Sequence, residues 1–118
     1  MGKRVFIVED EIDFIDLYTE IIELSGHSVA GSARNGQEAI EALAAMKQQP
    51  DIILMDHRMP VKNGLQTARE LLKINPSYHI VFMSADRSVE DEARAAGAKK
   101  FFKKPMSVDD IIRCIEAA

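Results

Sequence analysis

Ile52-Ile53-Leu54-Met55-Asp56-His57-Arg58-Met59-Pro60 decides the fold: four large apolar residues in succession stop on an aspartate before a proline-marked loop. A short apolar run without alternation reads as a strand buried on both faces, as in a parallel sheet. Asp56 then stands at the strand's carboxyl end, where open α/β sheets receive their ligands. Val5-Phe6-Ile7-Val8 is a second such run and ends in Glu9-Asp10; a third, Phe101-Phe102-Lys103-Lys104-Pro105, ends in lysine. Carboxylates and a lysine at matching strand ends predict one site that handles a divalent cation and a phosphoryl group.

Outward from these runs, β-rich segments alternate with helical periods. Phe14, Leu17, Tyr18, Ile21 and Ile22 follow helical spacing, and Gly26 supplies a stop. Ser28–Ala33 reads as a weaker strand interrupted by Gly31. Asn35 and Glu38 form a capping-box-like pair ahead of a stripe of Ala39, Ile40, Leu43 and Ala44, and Pro50 ends that helix. After the central strand, Asp51–Met55, Gly64 turns the chain into a helix bearing Leu65, Ala68, Leu71 and Leu72, closed before Asn75-Pro76. His79–Met83 is a fourth strand. A short polar helix with Val89, Ala93 and Ala96 runs to Gly97. Lys100–Phe102 is the fifth strand, and Ser107 with Asp110 opens a last helix whose expected buried face is Val108, Ile111, Ile112 and Ile115. Five βα units with right-handed crossovers predict an α/β fold, a parallel sheet with helices on both faces; the expected form is the flavodoxin-like one, doubly wound with five parallel strands in the order 2-1-3-4-5.

Composition agrees and excludes several classes. A chain of 118 residues reads as one domain, 1–118, without repeat, linker or low-complexity tract. Apolar and charged fractions of 47% and 29% are those of a globular domain. The net charge of −4, from 15 basic and 19 acidic side chains, gives no support to direct nucleic-acid binding. No stretch reads as a bilayer span or signal peptide, so membrane insertion is not expected and a cytoplasmic location is. Cys114 is the one cysteine, so no internal disulfide forms; it lies beside the apolar stripe of the last helix as a small hydrophobe. His57 adjoins Asp56 but is expected to point away from it, and His27 and His79 are expected to be solvated.

If the strand order reverses between the first and third strands, as in flavodoxin-like sheets, Glu9, Asp10 and Asp56 converge on one crevice. Three carboxylates repel and one is driven towards protonation unless a cation is present. Mg²⁺, a hard ion that takes one or two carboxylates with waters and phosphate, relieves that repulsion. The charges balance: three negatives against one Mg²⁺ and Lys104. Singly, each acid is most simply a solvated loop residue; their coincidence with Lys104 argues otherwise. Asp56 is the candidate nucleophile, since a carboxylate can accept a phosphoryl group whose oxygens the metal and lysine neutralise. Ser84, ending Val81-Phe82-Met83-Ser84-Ala85, offers a hydroxyl to that phosphoryl, although alone it reads as a turn or cap serine. Of Lys103 and Lys104 only one should face inward, and alternation alone does not decide which.

These motifs together resemble the receiver domain of two-component response regulators over the whole chain: Val8-Glu9-Asp10-Glu11, Met55-Asp56 with Met59-Pro60 and Gly64, Ser84-Ala85, and Gly97-Ala98 leading to Lys104-Pro105. The resemblance is to the single-domain, chemotaxis-regulator-like kind. It implies Asp56 as phosphoacceptor, with Mg²⁺ ligated by Asp10, Asp56 and the Arg58 backbone carbonyl, and Glu9 acting through metal-bound water. Lys104 would contact the phosphoryl oxygens, and Ser84 and Phe101 match the hydroxyl and aromatic switch positions. Phe101 lacks the hydroxyl a tyrosine would offer there. Arg58 and Asp86 match positions that influence phosphoryl lifetime, and their pairing across the mouth of the site would restrict attacking water.

The implied function is a phosphorylation switch rather than a metabolic enzyme. A sensor histidine kinase or histidine phosphotransfer protein donates to Asp56. The face formed by the fourth helix, fifth strand and fifth helix then changes and binds a downstream protein or the output domain of a longer chain, or drives homodimerisation. The fourth helix, with the thinnest apolar stripe, is the element most easily shifted. A haloacid-dehalogenase-like phosphatase would need an acid where Arg58 stands, and a flavodoxin-like cofactor binder would need a glycine-rich phosphate loop that is missing.

Overall fold

In the computed structural model, which describes residues 2–118, elements alternate along the chain. They are β1 (Arg4–Val8), α1 (Ile12–Leu24), β2 (Ser28–Ala33), α2 (Gly36–Ala45), β3 (Ile52–Asp56) and α3 (Gly64–Ile74). There follow β4 (Ile80–Ser84), a 3₁₀ turn at Arg87–Val89, α4 (Glu90–Ala95), β5 (Lys100–Lys103) and α5 (Val108–Glu116). All strand pairs are parallel and the order is β2-β1-β3-β4-β5, as the sequence predicts.

The unbroken apolar runs follow from burial on both sides. Phe6, Val8, Ile53, Met55, Ile80, Phe82 and Phe101 face a core shared with Ala39 and Leu43 of α2, Leu65, Ala68 and Leu71 of α3, and Ala93 of α4. The alternate residues Val5, Ile7, Ile52, Leu54, Val81 and Met83 face α1 and α5 through Ile15, Tyr18, Ile22, Ile111, Cys114 and Ile115. Each large side chain so buried contributes roughly 1.5–3 kcal/mol. β2 is an edge strand and is only half-buried, with a bulge opposite Val5-Phe6.

Two helix faces differ from expectation. In α1, Ile15 takes an inward position with Tyr18 and Ile22, while Leu17 is exposed. In α5, Cys114 is inside with Ile111 and Ile115, and Val108 is exposed. Both stripes contain more apolar residues than one helix face can bury, so spacing alone leaves the rotation open. In α2, Ala44 is likewise exposed.

Caps explain most helix ends. Asn35 accepts the Glu38 N–H at 2.9 Å, and Ser107 accepts the Asp110 N–H at 3.0 Å. α3 starts with a full capping box, Asn63 with Gln66, that the sequence reading did not include. α2 stops at Ala45, well before Pro50, because the Gln49 side-chain amide donates to the Leu43 and Met46 carbonyls, both at 2.9 Å.

His27 is not solvated. Its Nδ1 accepts the Lys3 N–H at 2.9 Å and its Nε2 lies 3.5 Å from Glu116, under the start of β1. His79 is half-buried, and desolvation lowers its pKa, with Lys99, Lys3 and Lys100 adding to the effect.

Gly64 closes the loop behind β3 by donating its N–H to the His57 carbonyl at 2.9 Å. A β-carbon there would stand 2.5 Å from the Asp56 carbonyl oxygen and 2.7 Å from the Phe82 ring. Neither the backbone nor the packed ring can yield easily. Gly64→Ala should therefore cost about 1–3 kcal/mol of stability, read as a lower urea midpoint with an unchanged slope; an unchanged midpoint would contradict this close approach.

Candidate functional site

The site forms at the carboxyl end of the sheet because of register and period. Val8 lies opposite Met55 across β1 and β3, so Glu9 and Asp56 occupy equivalent next positions. By alternation both point to the α1/α5 side with Ile7 and Leu54. Phe102 faces that side too, and Lys104, two residues on, follows it. This settles the lysine question: Lys103 is exposed and Lys104 turns inward, with its N–H donating to the Ser84 carbonyl at 2.8 Å. The Lys104–Pro105 peptide bond is cis.

One oxygen each of Glu9, Asp10 and Asp56 lies within 4.8 Å of the others. Glu9 and Asp56 are 1% and 4% exposed; Asp10 is half-buried. Lys104 Nζ donates to Glu9 Oε1 at 2.6 Å and stands 3.1 Å from Asp56 Oδ1. The ammonium also sits 4.7 Å above the Phe14 ring. These groups line a cavity of about 560 Å³ whose wall includes Arg58 and Ser84.

Phe14, packed against the α1-side core as its spacing predicts, therefore also belongs to the site. Only its position in the first turn after the acidic pair hints at this in the sequence. Ser84 is buried and its Oγ accepts the Asp86 N–H at 3.0 Å. Phe101 is 8% exposed and stacks on Phe82 at 6.2 Å between ring centroids, packed inside rather than turned out.

Arg58 and Asp86 do not form the expected pair. The Asp86 carboxylate instead accepts the Ser88 N–H at 2.9 Å and caps the 3₁₀ turn. Its pKa is lowered by these Ser88 hydrogen bonds, with Arg58 a smaller, through-space influence. The His57 ring packs against Phe82 at 5.9 Å, away from the acids.

Burial pushes the Glu9 carboxyl up to about 7; the Lys104 hydrogen bond opposes this and the Asp56 charge adds to it. Burial also raises Asp56, against Lys104 and with a contribution from Asp10. For Lys104, burial favours the neutral amine, but Glu9 and Asp56 outweigh it and hold the ammonium above its ordinary pKa. The pocket thus carries more negative charge than its one lysine neutralises. The donors are all hard oxygens. One oxygen of each acid lies within 4.8 Å of the others, close enough to face one ion, so the residues fit Mg²⁺.

A response regulator receiver domain model matches residues 5–116. The chain belongs to this family. The receiver is 39% identical to the chemotaxis protein CheY of Thermotoga maritima, over 98% of this chain and 96% of that protein. It is 37% identical to the transcriptional regulatory protein PdtaR of Mycobacterium tuberculosis, spanning 98% of this chain but 56% of that longer protein. Among solved structures, the response regulator domain of Thermotoga maritima CheB superposes with a TM-score of 0.89 at 27% identity, covering 100% of this chain and 96% of that one. A chain of the CheX–CheY–BeF₃–Mg²⁺ complex from Borrelia burgdorferi shares the fold, with a TM-score of 0.91 at 21% identity, over 98% and 87% of the two chains. Family membership makes this receiver a signalling phosphoacceptor rather than a metabolic enzyme. Receiver domains interact with histidine kinases and output domains. Among the described residues, no helix is long and apolar enough to cross a membrane.

The raised carboxyls have a measurable consequence in the metal-free protein. Folded Glu9, with a pKa of about 7, keeps a proton that an unfolded glutamate releases near about 4.5. Its favourable contribution is complete below the unfolded value and is lost as pH rises through the folded one. Stability in chelator should therefore fall between about pH 5 and pH 7, with Asp56 acting in the same sense. Glu9→Gln should flatten that slope; chemical unfolding across the range checks it, and a rising stability would refute the assignment.

Proposed function

We propose that this receiver is the phosphorylation switch of a two-component phosphorelay in which Asp56 accepts the phosphoryl group. The observation that supports this best is the Lys104 ammonium 3.1 Å from Asp56 inside a pocket of converging acids. An Asp56 carboxylate oxygen attacks the phosphorus of a phosphohistidine on a sensor kinase or phosphotransfer protein. The new O–P bond forms as the P–N bond breaks, and the histidine nitrogen leaves with a proton taken from water. Lys104, already aimed at Asp56, neutralises a phosphoryl oxygen. Ser84 exchanges its bond from the Asp86 amide for donation to another oxygen. Asp10, Asp56 and the Arg58 carbonyl would hold Mg²⁺, with Glu9 reaching it through water. The ion supplies charge neutralisation for the transferring phosphoryl group.

The new charge on Asp56 draws Ser84 and its loop inward, and the surface of α4, β5 and α5 changes with it. Phe101 follows within the packed aromatic pair it forms with Phe82. The output is binding of a downstream protein, an output domain of a longer chain, or a second copy of the receiver. We place this activity in the cytoplasm, where the kinase's phosphohistidine is made.

Incubation with Mg²⁺ and acetyl phosphate should add one phosphoryl mass to the wild type and none to Asp56→Asn, and chelation should abolish uptake. Unmodified wild-type protein at saturating Mg²⁺ would sink the proposal.

We also propose that Arg58 and Asp86 tune phosphoryl lifetime, but separately rather than as an ion pair. Arg58 lines the cavity, whereas the Asp86 carboxylate is engaged by Ser88. Arg58→Ala should change the acyl-phosphate half-life several-fold, and Asp86→Ala should change it less. Equal half-lives in all three proteins, followed by loss of the phosphoryl mass, would refute a role for either.

A further inference from the structure

The loop between β3 and α3 carries Arg58; Met59 packs against the core beside it, but the segment around Val61 has little of its own to hold it. Its base is closed by the Gly64 N–H on the His57 carbonyl, and its far end enters the Asn63 capping box. Between these, Val61 adopts a φ of +68°, in the left-handed region that β-branched residues avoid. The Lys62 N–H donates to the Pro60 carbonyl at 2.7 Å across Val61, which makes a strained γ-turn. The Val61 side chain is 78% exposed, so no packing of its own secures that turn.

What does secure it is the next residue. Lys62 Nζ donates to Gln37 Oε1 on α2 and to Glu70 Oε1 on α3, both at 3.0 Å, and Glu70 Oε2 is 2.9 Å away. The lysine stem crosses Gly36 at the start of α2. A β-carbon at Gly36 would stand 2.7 Å from Lys62 Cβ and 3.0 Å from its carbonyl oxygen. The ammonium is therefore shared by two helices and sits directly after the strained turn.

We infer that Lys62 is a positioning residue of the phosphoacceptor site, staking the β3–α3 loop to α2 and α3 and so fixing where Arg58 stands. The inference rests on the phosphoacceptor reading above and adds a residue to it. Half-buried groups such as Lys62 and Glu70 are still partly screened by solvent, and such pairs contribute little to global stability. A stake that restrains a strained segment acts locally instead, on loop order and on whatever the loop helps to bind.

Lys62→Met keeps the stem over Gly36 and removes the ammonium. In metal-free protein, hydrogen exchange at the amides of Lys62 and Gly64, which donate the loop's own hydrogen bonds, should speed up at least several-fold, while the core strand amides keep wild-type protection. Calorimetry should show Mg²⁺ binding weakened several-fold. Phosphorylation by acetyl phosphate should need correspondingly more Mg²⁺ and reach the wild-type rate at saturation. Lys62→Arg, whose guanidinium can reach the same two acceptors, should recover most of both effects, and Glu70→Gln should reproduce part of the loss. Wild-type loop exchange together with wild-type Mg²⁺ affinity in Lys62→Met would overturn the inference. So would faster exchange throughout the molecule, which marks general destabilisation. If wild-type protein itself bound no Mg²⁺ and took no phosphoryl group, the phosphoacceptor reading would fall, and loop exchange in the metal-free variants would still decide whether Lys62 stakes the loop.

Discussion

Lys104, at the end of β5, bonds to Glu9 at the end of β1 and approaches Asp56 at the end of β3. Two buried carboxylates and one half-buried ammonium would each be costly alone, since desolvation disfavours every one of them in its charged form. They persist because the parallel register delivers all three to one point. Shifting β1 or β5 by a single residue would turn Glu9 or Lys104 to the opposite face and leave the others unpaired. The site's electrostatics thus depend on strand pairing, and the pairing depends on the two apolar cores that cover the sheet.

The same pairing explains why the pocket is poised rather than satisfied. One lysine cannot neutralise Glu9, Asp10 and Asp56, and burial raises the carboxyls of Glu9 and Asp56 despite its contact. A pocket optimised only for stability would replace such a group with apolar residues. Retaining it keeps charge-stabilising groups preorganised around an oxygen, at a sheet end where loops are free to adjust. The close approach at Gly64 and the strained turn at Val61 lie in the loop that follows Asp56, which fits the tendency of strain to gather near sites of chemistry.

What could be read from the residues follows from how local the signal is. Ile52–Asp56 announced itself because a strand covered on both faces must be apolar at every position. Asp56, Glu9 and Asp10 could then be grouped, since strand ends and strand order are properties of the chain's pattern. The faces of α1 and α5 were misjudged at Leu17 and Val108 because those helices carry surplus apolar residues, and the rotation is set by the sheet they pack on. His27 looked like a turn residue, yet Lys3, remote in sequence, donates to its ring. The capping box at Asn63 is a local pattern that lies beside the stronger signal of Gly64. The choice between Lys103 and Lys104, and the failure of Arg58 to meet Asp86, depended on tertiary placement that neither periodicity nor spacing encodes.

The two surfaces of the sheet divide the labour. Glu9, Asp56 and Lys104 lie on the α1/α5 side, while Phe101 and Phe82 lie in the core shared with α3 and α4. Ser84 ends β4 in register with Phe82, two residues earlier, and its hydroxyl holds the Asp86 amide that leads into the 3₁₀ turn and α4. In the proposed switch, a pull on Ser84 from the Asp56 side would pass through this bond to the segment that enters α4. That helix has six residues and buries only Ala93 among them, so less apolar contact resists its displacement than resists any other helix. A change of charge at one end of β3 has its easiest mechanical outlet there. Strands β3 and β4, between the site and α4, are buried along their whole length and would give such a movement a frame to act against.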